Sequence, residues 1–277
     1  MPEMSPMQTL VCLRWAMVWV GCLSLPSVAV AEIYQLPANF QQTPSLKAVV
    51  SETNPVPFAM FSAEGQLVDG LSKNLLDRVA ASLNTEVQYL DVPRARVEQW
   101  LISGKADIGC FLAPDWVVSP TLLQWEGPLF YSAQLVVRQS SSKPIRQLSD
   151  LYHQRIGTIR GFVYPELEQA FAEHLLVRDD AHSLESNLTR LAQGRLDAVM
   201  TVDLSLGYVL QKQKFAAVFS YDLLWTDAPA IYCAVSKSSP LQARISAVFD
   251  TLQQQGVIDA MLLQFKPKVL PGAELRR

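Results

Sequence analysis

Between Glu98 and Gln139 the chain sets an amphipathic segment, EQWLISGKAD, directly before a short apolar run, IGCFL, and then a long stretch, WEGPLFYSAQLVVRQ. A helical period that gives way to an unbroken apolar run is the pattern of a strand covered on both faces, as in a parallel sheet flanked by helices. The same alternation precedes it. LKAVVS at 46–51 reads as a short buried strand ended by Asn54-Pro55-Val56-Pro57, whose prolines force an extended turn. Ala63-Glu64-Gly65-Gln66 reads as a hairpin-like turn, and Leu71, Leu75, Leu76, Val79, Ala80 and Leu83 fall on one helical face. VQYLD at 87–91 is a strand, and Val97, Trp100 and Leu101 give a second helix that stops before Gly104. The order is βαβαβ, which predicts an α/β unit.

A second run begins after the turn Ser140-Ser141-Ser142-Lys143-Pro144. Leu148 to Leu151 opens a short helix, 155–159 is a strand, 164–174 a helix and 175–178 a strand. Helix 183–193, strand 196–201, helix 203–211 and strand 215–219 complete it. AIYCAV at 230–235 then leads into one long C-terminal helix with Leu241, Ile245, Val248, Leu252 and Ile258 on one face. The end of the chain has no α/β unit of its own. We therefore expect it to return to the first unit, with lobe one built from 32–133 and 230–277, lobe two from 134–229, and two crossing strands near 129–137 and 226–236.

With 277 residues, 49% of them apolar, there is chain enough for two medium cores. The 23 basic and 26 acidic residues form no long runs, which argues against nucleic acid as a partner. Residues 15–25 form a short apolar run after Arg14, and Ala29-Val30-Ala31 has the small residues of a signal-peptidase site. This reads as a secretory signal peptide over 1–31, cleaved after Ala31, with a periplasmic mature chain. A lipoprotein reading through Cys22 competes, but Trp19 fits that pattern poorly. Cys12 and Cys22 leave with the signal, so Cys110 and Cys233 remain. They are either bridged, as an oxidising compartment permits, or two small buried apolar side chains, and the second reading is preferred because both lie in apolar runs.

Seven landmarks in order carry a resemblance: Val56-Pro57-Phe58, Gly65 with Gly70-Leu71 before the first helix, Ser103-Gly104-Lys105-Ala106-Asp107, Gly127-Pro128-Leu129-Phe130-Tyr131, Ile156-Gly157, Gly194-Arg195-Leu196-Asp197-Ala198 and Gln255-Gly256-Val257. Over about 46–267 the chain resembles family 3 of the bacterial extracellular solute-binding proteins, as a divergent member. The resemblance implies a two-lobed type II periplasmic binding protein fold with two crossing hinge strands. It also implies a small-molecule ligand in the cleft between lobes, an inner-membrane ABC permease as partner, and a monomer without a cofactor. The receptors' carboxylate-binding Arg would fall at Ser119, their Ser/Thr pair at Phe162 and Val163, and their amine-binding Asp at Val202, one residue before Asp203. These departures speak against an ordinary α-amino acid.

Other residues then become candidates. Arg94 aligns near an aromatic of the family and could grip a carboxylate or phosphate bidentately; equally, Arg94 and Arg96 could open a helix on its solvated face. Arg160 and Gly161 precede a helix N-terminus, where free N–H groups favour anions. Phe111, Trp116 and Tyr164 are candidate stacking walls, Phe58 a further candidate ligand contact, and Glu52 and Asp203 candidate acidic contacts. His153, His174 and His182 are scattered, without metal-ligand spacing. Glu166 and Glu168 are the nearest candidates for acid/base chemistry of the kind used by cyclohexadienyl dehydratase, a relative of this fold, but first-turn carboxylates ordinarily serve the helix dipole. The expectation is a binding protein for a small polar, anionic or zwitterionic solute rather than an enzyme, with a freestanding sensory receptor subunit as a further alternative.

Overall fold

The computed structural model describes residues 44–212 and 218–265. The signal peptide, Cys22, the cleavage site after Ala31 and most of the strand expected at 215–219 lie outside the described residues.

Two five-stranded sheets share one plan. In the first, β1 (Leu46–Val50) lies between β4 (Val87–Asp91) and β5 (Ile108–Leu112), all parallel. Antiparallel β12 (Ala230–Ser236) follows beside β5, and β6 (Leu123–Tyr131) forms the edge. In the second, β8 (Arg155–Ile159) lies between β9 (Val177–Ala181) and β10 (Ala198–Val202). Antiparallel β7 (Gln134–Gln139) follows beside β10, with β11 (Phe219–Asp222) at the edge. The fourth strand of each sheet has therefore come across from the other half of the chain. The two connections touch: the Ser132 N–H donates to the Pro229 carbonyl, and Ala230 pairs with Tyr131.

A repeated sequence device sets both sheets. Helix α2 (Val97–Ile102) and helix α4 (Leu184–Ala192) each end in a left-handed glycine, Gly104 at φ 70° and Gly194 at φ 68°. Three residues on, Asp107 accepts from the Lys47 N–H and Asp197 from the Arg155 N–H, each at 2.8 Å. Each carboxylate thus fixes the start of the neighbouring parallel strand. Ser239 Oγ also donates to Asp107, tying β12 to the same point.

Helix α1 (Leu71–Ser82) buries Leu71, Leu75, Leu76 and Val79 completely against the first sheet. Its first two N–H groups, of Leu71 and Ser72, donate to the carbonyls of Pro57 and Phe58, which pins the segment after β1. Gly70 allows this approach: its φ is 109°, and a Cβ there would sit 2.9 Å from the Pro57 carbonyl. A small hairpin, β2 (Met60–Phe61) and β3 (Leu67–Asp69), fills the interval. On the second sheet, α3 (Pro165–Ala172), α4 and α5 (Asp203–Lys212) bury Leu167, Leu184, Leu188, Leu191 and Leu206.

The long C-terminal helix expected from its apolar period is two helices, α6 (Gln242–Gln254) and α7 (Val257–Phe265). Gly256 takes φ 66° between them, and the apolar period continues through the break because Ile245, Phe249, Leu252, Ile258 and Met261 all join the core under α1. Strand β9 is displaced from the expected 175–178 to 177–181, because the N–H groups of Leu175 and Leu176 turn back onto the Ala170 carbonyl to close α3. Among the described residues, no helix is long and apolar enough to cross a membrane.

Candidate functional site

The strand ends of the two sheets line a partly open cavity of about 70 Å³, with walls from both halves. The turn after β1 brings Asn54, Pro55 and Phe58; the end of β5 brings Phe111, the following turn Trp116, and β12 Ile231. The second half supplies Ile159, Phe162, Val163 and Tyr164 from the β8–α3 loop, Leu184 from α4, and Met200, Thr201 and Val202 from β10. Ser132 and Gln134, where the chain crosses from β6 to β7, supply the polar edge. A ligand in this cavity meets mostly aromatic and aliphatic carbon.

The aromatic wall is a packed cluster rather than a set of independent rings. Phe58 lies 5.2 Å from Phe111 and 6.4 Å from Phe130, and Phe111 lies 6.1 Å from Phe130. Phe111 has φ 62°, a left-handed conformation rare for a bulky side chain and a place where strain gathers at functional sites. Immediately before it, Cys110 is bridged to Cys233, opposite it across β5 and β12 with Cα atoms 3.9 Å apart. The expectation of two separate thiols is corrected by topology: β12 arrives beside β5 from the far end of the chain, a pairing to which no local pattern points.

Tyr164 is buried, its hydroxyl accepts from the Ile159 N–H at 2.9 Å, and burial pushes that hydroxyl well above its ordinary pKa. Arg178, which no motif flagged, braces this loop. It donates to the Phe162 carbonyl at 2.7 Å, pairs with Glu168 and Asp180, and lies 5.6 Å over the Tyr164 ring. Glu168 also accepts from the Tyr164 N–H, so the N-terminal end of α3 is already met by a carboxylate of its own first turn.

The remaining candidates lie around the cavity rather than along it. Arg94 is 7% exposed, in a 3₁₀ turn (Arg94–Arg96) ahead of α2 and not on a solvated helix face. Its guanidinium lies 5.5 Å from the centre of the Phe162 ring, a cation–π contact across the two halves, and burial lowers its pKa to about 10. Gly161, at φ 80°, packs on the same turn: a Cβ there would lie 3.3 Å from the Ala95 nitrogen and 3.4 Å from the Arg94 Cβ. Arg160 is exposed, with Nη1 3.2 Å from His182 Nε2. Glu52 is exposed, its N–H donating to Asp91. Asp203 opens α5, where Oδ1 accepts from the Leu204 N–H and, at 2.7 Å, from Ser132 Oγ. At Ser119, where the resemblance would place an Arg, the N–H groups of Val118 and Ser119 donate to Glu98.

Sequence reasoning missed Gln134. This side chain is 6% exposed, lines the cavity, and donates through Nε2 to Glu166 Oε1 at 2.7 Å. A glutamine in an apolar strand carries no motif, and its role depends on the strand crossing that puts it at the cleft. Among the described residues, no group of His, Cys, Asp and Glu is arranged to hold a metal ion.

No family model matches the sequence, and a search of the curated proteins finds no relative. Solved structures do match in fold. An ancestral arginine-binding protein bound to arginine aligns with a TM-score of 0.67 at 20% identity, over 81% of this chain and 99% of that one. The substrate-binding protein of an amino acid ABC transporter aligns at 0.64 and 18% identity, over 80% and 99%. A histidine kinase sensor domain with similarity to periplasmic binding proteins aligns at 0.66 and 16% identity, over 81% and 97%. The chain has the two-lobed α/β fold that these structures share.

Proposed function

We propose that the protein is a divergent member of family 3 of the solute-binding proteins, a periplasmic receptor that captures a small solute by closing its two lobes around it. The observation that carries this reading is a cavity walled by both halves, with Gly161 against Ala95 and Arg94 over Phe162 where they meet. Contacts of that kind form on closure and part on opening, which is how a two-lobed receptor couples capture to a change of shape. The two neighbouring connections, through Ser132 and Pro229, are where a hinge would act.

The lining of the cleft supports a different solute from the anionic or zwitterionic one expected from the sequence. Neither Arg94 nor Arg160 lines the cavity, whereas Phe58, Phe111, Trp116, Phe162 and Tyr164 do. A compact solute with a largely apolar body fits these walls. Uptake through an ABC permease is the role in keeping with the amino acid transporter component among the structural neighbours. Presentation to a sensor is a second reading, favoured by the kinase sensor domain of the same fold. We propose no reaction, because neither Glu166 nor Glu168 is among the residues that line the cavity.

The test is a thermal-shift screen of the purified chain against small amines, amino acids, carboxylates and alcohols, with product analysis of every hit. A hit returned unchanged supports capture, since a ligand that binds only the folded state raises the melting temperature by mass action. Consumption of the hit would replace the receptor reading with an enzymatic one.

A further inference from the structure

The polar edge of the cavity has a definite hydrogen-bonding sense. Gln134 must present Nε2 to Glu166 Oε1, because an ionised carboxylate only accepts, and this fixes the orientation of the amide. The amide atom that remains is Oε1, an acceptor with no partner among the described residues, on a side chain 6% exposed that lines the cavity. Behind it, Glu166 Oε2 is buried and has no hydrogen-bond partner among the described residues. Ser132 repeats the pattern: its hydroxyl hydrogen is given to Asp203 Oδ1, so what Ser132 Oγ retains for a ligand is acceptor capacity. Two adjacent cavity side chains are thus turned into acceptors by carboxylates held outside them. Asn54 and Thr201 can serve either sense and do not alter this.

Two groups beside the cavity that would welcome an anion, the N-terminal end of α3 and Arg178, are engaged elsewhere. Glu168, in the first turn of α3, accepts from the Tyr164 N–H and sets a negative charge at that helix end, and Arg178 is committed to Glu168, Asp180 and the Phe162 carbonyl. A carboxylate placed against Gln134 Oε1 would meet an acceptor with a second carboxylate behind it, a repulsive arrangement in an apolar cavity.

We propose that the solute of this cleft is a compact protonated amine with an apolar body and no carboxylate, its ammonium donating to Gln134 Oε1 and Ser132 Oγ. This deepens the solute-capture reading and rests on it. The experiment is calorimetric titration of the full chain with two matched series: butylamine, butanol and valerate, then phenethylamine, phenethyl alcohol and hydrocinnamate. At least one amine should bind roughly tenfold or more tightly than its alcohol, with the carboxylate weakest. Binding of a carboxylate or alcohol as tightly as the matched amine overturns the inference and leaves solute capture standing. Binding of none of the six overturns both. Glu166→Gln keeps a partner for Gln134 while removing the charge, and should reduce the preference for amine over alcohol several-fold with the unliganded melting temperature nearly unchanged. Gln134→Leu should abolish that preference. A preference that survives both substitutions contradicts the assignment to these residues.

Discussion

The Arg94 guanidinium lies 5.5 Å from the centre of the Phe162 ring, and with that contact a residue preceding α2 holds a residue of the β8–α3 loop from the opposite half. The charge is buried, so the contact is made against a desolvation cost and depends on the two halves being together.

Arg94→Ala should therefore weaken capture of any cleft solute by about 0.5 to 2 kcal/mol, the range for a cation–π contact, by a similar amount for amine and alcohol. Titration of both against wild type and variant checks this. A loss confined to anionic solutes would instead make Arg94 a carboxylate grip.

Gly161→Ala meets two obstacles, a left-handed φ of 80° and a Cβ 3.3 Å from the Ala95 nitrogen on the other half. The first costs about 1 kcal/mol within its own lobe, and the second acts only when the halves close. The variant should lose more solute affinity than unliganded stability. Equal losses would show that Gly161 serves the loop alone.

The Cys110–Cys233 bridge closes a sequence separation of 123 residues across the first sheet. Replacing both cysteines with alanine should cost about 2 to 5 kcal/mol of stability and lower the denaturant midpoint, and reductant should lower it in wild type but not in the variant. A midpoint insensitive to reductant would mean that the bridge contributes nothing to folding.

Glu126, on β6, accepts from Ser246 Oγ on α6, yet burial holds its carboxyl above the usual glutamate range. The folded chain then takes up this proton at a higher pH than the unfolded chain does. Its contribution to stability is full below the unfolded pKa and is lost as pH rises through the folded one. Glu126→Gln should raise the melting temperature at neutral pH, and the difference should vanish as the pH is lowered below the ordinary glutamate range. An unaltered pH profile would show that the carboxylate is well solvated.

What the sequence revealed of the fold followed from local chemistry. Helix α1, strand β5 and strand β10 were legible because Leu71 to Leu83 keep a helical period, IGCFL is a continuous apolar run, and Ala198-Val199-Met200 is a short one. The GKAD and GRLD segments were visible as landmarks, and the structure gives their reason: Gly104 and Gly194 end helices, and Asp107 and Asp197 start strands. The cleft was less legible. Phe111, Trp116 and Tyr164, singled out as candidate walls, line the cavity together with Phe58, a candidate ligand contact. Arg94, Arg160, Glu52 and Asp203 do not line it, because the charge of a side chain says nothing of the burial it will meet. Gln134, Arg178 and the Cys110–Cys233 pairing depend on which strands lie side by side, and that is decided by chain crossings far apart in sequence.

Hydrogen–deuterium exchange of the chain with and without a saturating solute from the amine series tests capture between the lobes most directly. Capture between the lobes predicts that solute slows exchange together in the Pro55–Ala59 segment of the first half and the Ile159–Tyr164 loop of the second. Protection confined to one half, or absent from both, would contradict it.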